Sequence, residues 1–287
     1  MSKIAVVTDS AACLPAELVR QYEIEVIPFG LIWDNEVYLD GISITPEEFY
    51  HRFAHSSTYP TTSQPSPQDF LSVYTRLVQE RGVEGIVSIH IPEEVSGTIA
   101  QARLAAQEMA PFPVRVIDSR MATIAEGFVV LAAARAAAAG GGLEEVVAAA
   151  EAAIPRVNFY ATLTTLEHVH RGGRIGQAAA LLGSRLRLHP ILHLRHGRVA
   201  VAGVVRSRRR ARERMLELMA KQVGDASVRA SVFHADALAE AEQLAEVMQA
   251  RFHPIEFYIT EFTPVMGAHT GPGVIGLAYH VEKEVEP

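Results

Sequence analysis

The chain has 287 residues, 49% hydrophobic and 21% charged, with 26 Lys and Arg against 33 Asp and Glu. That is an ordinary globular composition, and a net charge of −7 excludes a surface built throughout to bind nucleic acid. The single cysteine, Cys13, excludes an internal disulfide and a cysteine-rich zinc site, and it fits a reducing cytoplasm.

Taken in chain order, short apolar runs alternate with amphipathic or alanine-rich ones. Residues 3–9 read as a buried strand ending in a polar turn, followed by a helix over 14–22 and a strand over 24–29. Helices are predicted over 46–54 and 67–81, each with proline in its first turn. A strand over 85–91, a helix over 96–109 and a strand over 114–118 come next. An alanine-rich helix over 123–139 stops at Gly140-Gly141-Gly142, and another runs over 143–154. This alternation argues for an open, mostly parallel α/β sheet with helices on its faces.

The second half reads as α+β. Strands are predicted over 157–163, 228–234, 255–261 and 274–280, with helices over 207–222 and 237–250. A hairpin over 192–205 turns at His196-Gly197. The length favours two domains, expected as residues 1–160 and 161–287. Residues 1–9 lack the apolar core of a signal peptide. The most apolar stretch, 127–139, is short and broken by Arg135, so no membrane span is expected. Between Leu166 and Arg214 lie twelve arginines, no lysine and two glutamates. That segment reads either as a docking surface for something anionic or as a solvated face with ion pairs.

Four polar turns are candidates for chemistry. Thr8-Asp9-Ser10 stands at the carboxyl end of the first strand, where ligands of open α/β sheets collect; Asp9 or Ser10 would equally serve only to cap the next helix. Pro60-Thr61-Thr62-Ser63-Gln64-Pro65-Ser66-Pro67 reads as a stiff loop that either holds a polar head group or simply leads into the next helix. Ser96-Gly97-Thr98 precedes a helix whose free amides attract an anion, or is an N-cap alone. Gly267-Ala268-His269-Thr270-Gly271-Pro272-Gly273 sets one histidine among glycines. His189, His193 and His196 lack a zinc spacing, so no metal is expected. Neither a G-x-x-x-x-G-K-[ST] phosphate loop nor a G-x-S-x-G elbow occurs.

Together these motifs resemble the DegV family, which includes the fatty-acid-binding subunits of bacterial fatty acid kinase. The resemblance runs in order along essentially the whole chain. Thr8-Asp9-Ser10, Thr62-Ser63-Gln64-Pro65-Ser66, Ser96-Gly97-Thr98 and Asp118-Ser119 match its first four motifs. Gly172-Gly173-Arg174-Ile175, Arg206 and Gly267-x-His269-x-Gly271-Pro272-Gly273 match the rest. One departure is His189 before Pro190, where a lysine is expected; it bears on that position's role and not on the lipid site.

The resemblance implies two α/β domains with one long-chain fatty acid buried between them and no other cofactor. Thr62 and Ser96, with Gly97, would hold the carboxylate, and His269 would share their network. Asp9, Ser10, Ser63, Thr98, Ser119 and Gly271 would form supporting turns. Arg174 and Arg206 would be surface arginines that dock a separate ATP-dependent kinase subunit, which phosphorylates the acid to an acyl phosphate. The protein would then be a carrier without catalytic residues of its own, suitably a monomer, with transient contact to an anionic membrane surface. Burying about fourteen methylenes offers on the order of 11 kcal/mol before ordering costs, enough to capture a free acid. Two other readings stand beside this one: an acyl-ester hydrolase using Ser96 and His269, and a lipid-sensing regulator. The alanine-rich helices would either leave room for a tunnel or pack closely.

Overall fold

The run Ile4-Ala5-Val6-Val7 has no polar interruption, which suits a strand covered on both faces. In the computed structural model, which describes residues 3–182 and 188–282, it forms β1 (Ile4–Asp9) inside a parallel sheet. The chain continues through α1 (Ala16–Gln21), β2 (Glu25–Ile27), β3 (Gly30–Trp33), β4 (Glu36–Leu39), α2 (Pro46–His55), β5 (Thr61–Ser63), α3 (Pro67–Arg81) and β6 (Gly85–His90). Then come α4 (Thr98–Glu108), β7 (Val114–Asp118), α5 (Thr123–Ala138), α6 (Leu143–Ala153), β8 (Val157–Thr162) and α7 (Glu167–Arg171). The chain ends with β9 (His189–Arg195), β10 (Arg198–Val205), α8 (Arg208–Val223), β11 (Val228–His234), α9 (Leu238–Phe252), β12 (Glu256–Glu261), α10 (Pro264–Thr270) and β13 (Ile275–Val281).

The first sheet has the order β2-β1-β6-β7, all parallel. Alternation along β1 sends Ala5 and Val7 to one face, against Phe70, Tyr74 and Leu77 of α3 and Ala102 and Ala105 of α4. Ile4 and Val6 join the opposite core with α5 and α6. The proline starts of α2 and α3 are as expected. Thr45 with Glu48 and Ser66 with Asp69 complete capping boxes that satisfy the first free amides.

The second sheet has the order β10-β9-β8-β13-β11-β12, antiparallel except for the pair β11–β12. His196 and Gly197, both at positive φ, make the tight turn of the β9–β10 hairpin. One face of this sheet is covered by α8 and α9 through Met215, Met219, Leu244 and Met248. Its other face carries Phe159, Ala161, Leu192 and Leu194 into the same core as α5. The expected division at residue 160 falls inside β8, which pairs only with strands of this second sheet. We propose that the division lies just before Val157.

Three expectations are corrected. The strand over 24–29 is shorter: after β2 the chain enters a small antiparallel sheet, β4-β3-β5, turned at Asp34-Asn35, both at positive φ. Thr61–Ser63, read as loop, is its third strand and pairs with Gly30 to Ile32. Residues 264–270 are helix rather than turn, so His269 stands in the last turn of α10, which Gly271 ends at φ +72. Of the arginine-rich segment, Arg185 and Arg187 lie outside the described residues.

Candidate functional site

A cavity of about 380 Å³ opens on the inner face of the second sheet, within the range of small-molecule sites. Its apolar lining comes from both halves of the chain: Phe29 and Ile91 from the first, Phe159, Leu163, Leu192 and Phe262 from the second. All six are buried. Its polar lining is Thr62, Ser63, Gln64, Ser96, Arg174 and His269, all half-buried or exposed, with the half-buried His193 and Thr270 and the buried Thr123 besides. The cavity therefore has a polar mouth and an apolar interior. The alanine-rich helix contributes little: α5 reaches the cavity only at Thr123, while its alanines pack closely against neighbouring elements.

At the mouth, Thr62 Oγ1 and His269 Nε2 lie 2.8 Å apart, joining residues 207 positions distant in sequence. Burial, helped by the charge of Arg174, lowers His269 to about 4, so its ring is neutral near pH 7. Nδ1 is buried with no hydrogen-bond partner. An unpaired lone pair there costs less than an unpaired N–H, and it faces a cation more favourably. The proton therefore sits on Nε2 and is donated to Thr62 Oγ1, which leaves the threonine O–H free to donate to a ligand.

Other bonds assemble the mouth from distant segments. Gln64 Oε1 accepts from the N–H of Gly97 at 3.0 Å, tying β5 to the start of α4. A β-carbon at Gly97 would stand 2.6 Å from that oxygen and would push the Gln64 amide aside. Ser96 Oγ bonds Thr98 Oγ1 at 2.8 Å. Arg174 donates to Val95 O at 3.0 Å and to Gly172 O at 2.6 Å, bridging the two halves.

The expected site residues thus separate into two groups. Thr62, Ser63, Ser96 and His269 line the cavity. Arg174, expected at the surface, is exposed and lines the cavity as well. Arg206 is exposed, with no ion pair among the described residues. Gly97, Thr98, Asp9, Ser10, Ser119 and Gly271 do not line the cavity. Gly97 gives its amide to Gln64, and Ser119 Oγ closes a local turn onto Met121 O at 2.9 Å. Asp9, fully buried, accepts from His90 Nδ1 and from the amides of Ile91 and Ala11. Ser10 Oγ donates to Asp40 Oδ2 at 2.6 Å and accepts from the N–H of Phe29, while Asp40 Oδ1 accepts from the N–H of Val265. The first motif therefore positions Phe29 and the start of α10, and through α10 it positions His269. His189 merely opens β9, opposite Val205.

Sequence reasoning missed Gln64 as a bridge, although it lies inside the second of the polar turns, and missed the apolar lining altogether. The Ser96–His269 bond that a hydrolase would use is absent: each side chain bonds another hydroxyl. No three His, Cys, Asp or Glu side chains among the described residues gather to hold a metal ion. No helix among them is long and apolar enough to cross a membrane.

The family model described as "Uncharacterised protein, DegV family" matches residues 3–282. The chain belongs to the DegV family. A DegV domain-containing protein of Halalkalibacterium halodurans is 34% identical over 284 residues, covering 99% of this chain and 100% of that one. A DegV family structure from Thermus thermophilus, described by its fatty acid binding, superposes with a TM-score of 0.90 at 36% identity, covering 98% of this chain and 100% of that one. Bacillus subtilis DegV, described as a fatty acid binding protein, gives a TM-score of 0.90 at 31% identity, again covering 98% of this chain and 100% of that one. Both DegV structures thus match the present fold across both sheets.

Proposed function

We propose that this protein binds one long-chain fatty acid in the cavity and presents its carboxylate to a separate ATP-dependent kinase subunit, which converts it to an acyl phosphate. The observation that carries the reading is the polar mouth on an apolar interior, which matches an amphiphile with one polar end. The fatty acid binding of the Thermus thermophilus and Bacillus subtilis relatives supports it. Burying the chain contributes about 0.8 kcal/mol per methylene. The carboxylate, costly to bury alone, would accept from the Thr62 and Ser96 hydroxyls, each worth roughly 1.5–3 kcal/mol to a charged acceptor.

Arg174 adds a positive charge at the rim that the hydroxyls alone lack. It is exposed, so water screens its pull and the head group is not locked in place. The protein itself would not be an enzyme. Arg206, exposed on the arginine-rich side, suits docking of an acidic kinase partner or brief contact with anionic lipid. Its lone thiol, Cys13, is buried and pushed up to about 12 by burial, so it is inert in a reducing cytoplasm.

Denaturing mass spectrometry of the purified protein is expected to release close to one equivalent of a long-chain acid. Lipid-free protein that also fails to bind added acids rejects the proposal.

A further inference from the structure

Five of the twelve large apolar side chains that are exposed among the described residues fall between residues 26 and 42. Three of them share one face of the small sheet. Ile32 on β3 stands directly opposite Val37 on β4, and Leu39 lies two residues further along the same strand. The other face carries Leu31 and Trp33 into the core. Ile42 follows in the turn after β4, its N–H bonded to Leu39 O at 3.0 Å. Val37 and Ile42 are each 68% exposed and Leu39 44%, so this apolar face is left in water by the fold itself.

The face runs up to the cavity mouth. Gly30 on β3 is flanked by Leu39 on one side and by Ser63 on the other. Ser63 Oγ leans over Gly30 so closely that a β-carbon there would overlap it, and Ser63 also lines the cavity. Gly30 is thus the floor of a shallow groove between Leu39 and the mouth. A subunit that reaches a carboxylate at Thr62 and Ser96 has to come close to this ground.

Charge narrows what can cover it. Residues 21–51 carry seven acidic side chains and no lysine or arginine. Glu23, Glu25 and Asp34 pair with Arg81, Arg76 and Arg52, and Asp40 is buried. Glu36, next to Val37, and Glu47 and Glu48, in the first turn of α2, are exposed without an ion pair among the described residues. An anionic membrane surface would be repelled by these carboxylates. A second copy docking through the same face would set carboxylate against carboxylate. A protein surface that is apolar with basic residues around it meets both the aliphatic side chains and the charge.

We propose that the outer face of the small sheet, formed by Ile32, Val37, Leu39 and Ile42 with Glu36 at its edge, docks an apolar, positively charged surface of the kinase subunit. This rests on the function proposed above. With Arg206 on the second half, it gives the partner two contacts of opposite charge, which fix its orientation over the mouth.

The test uses the full chain loaded with oleic acid, the kinase subunit encoded in the same genome, ATP, and hydroxylamine to trap acyl phosphate. Val37→Asp and Leu39→Asp are each expected to raise KM for the loaded carrier at least tenfold, with kcat within twofold and oleate affinity unchanged. Glu36→Lys should raise KM at least threefold and flatten the rise of KM with salt that the wild type shows. Wild-type KM in both aspartate variants overturns this inference and leaves the carrier reading standing. Their loss of flotation with phosphatidylglycerol vesicles would then assign the face to a membrane, and their passage from dimer to monomer would assign it to a second copy. A fall in oleate affinity equal to the rise in KM also overturns it, since the face would then only prop the mouth. A wild-type chain that holds oleate yet gives no acyl phosphate with the kinase overturns the carrier reading and this inference with it.

Discussion

The ring of His269 lies against the α-carbon of Gly172 so closely that a β-carbon there would overlap Nδ1. The relation is reciprocal: a β-carbon on Gly271, two residues after His269, would overlap the ring of His168, four residues before Gly172. α7 and α10 therefore interlock, each giving up a side chain to admit the other's imidazole. Gly172→Ala is expected to push His269 off Thr62 and weaken fatty acid binding tenfold or more. In a His269→Ala background the same change should cost little, because its effect runs through that ring. A cycle of displacement titrations on the four proteins checks this, and additive losses refute it.

Thr62 is expected to act through its hydroxyl rather than its bulk. Thr62→Val keeps the shape, leaves His269 Nε2 without a partner and takes one donor from the carboxylate. We expect a loss of ten- to a hundredfold in affinity for the acid, with Thr62→Ser close to wild type. Binding of a long-chain alcohol should change far less, since it brings no charged acceptor. An equal loss for acid and alcohol would point to packing instead.

Arg174 and Arg206 are expected to behave differently. Arg174→Ala removes a charge that lowers His269, so the imidazole should titrate higher, visible by NMR of the ring protons. It should also weaken acid binding, modestly because the guanidinium is exposed. Arg206→Ala should leave lipid binding intact and reduce turnover with the kinase partner. Unchanged lipid affinity in Arg174→Ala would return that residue to a purely external role.

Buried histidines set an acid limit on stability. His280, lowered from 6.5 to about 4 chiefly by burial and then by nearby arginines, has no hydrogen-bond partner on either ring nitrogen. Below pH 6.5 the unfolded chain takes up a proton there that the folded chain refuses, so stability is complete above 6.5 and falls as pH drops toward 4. The loss is on the order of 3 kcal/mol. Asp40 and Glu126, both raised by burial, act in the opposite sense, so the measurement is a difference. Relative to wild type, His280→Phe should gain stability steadily in urea titrations from pH 6.5 down to 4. A difference independent of pH rules this out.

Much of the fold was legible because its elements obey local rules. The proline starts of α2 and α3, the His196-Gly197 hairpin and the uninterrupted β1 each follow from a few adjacent residues. The small sheet escaped because β3 to β5 are three or four residues long, too short to show a period, although Asp34-Asn35 was a readable hairpin turn. α10 escaped because Gly267 and Gly271 look like turn residues. In the fold Gly267 serves close approach instead: a β-carbon there would stand 2.7 Å from the ring of Phe49 and from the hydroxyl of Tyr50. At the site, the motifs located Thr62, Ser96 and His269 but not their roles. That Asp9 and Ser10 brace the mouth from behind, and that Arg174 reaches into it, depends on contacts between segments more than 70 residues apart, which no local pattern encodes.

The void between the two layers has a bearing on the protein's lifetime. An occupant that fills it joins the hydrophobic interior as surely as Phe159 does, and it adds to the folding free energy by mass action, about 2.7 kcal/mol at a hundredfold excess over its dissociation constant. Emptied molecules would then open more often and be cut sooner by proteases, a difference that limited digestion of loaded and delipidated samples would display as two distinct half-lives.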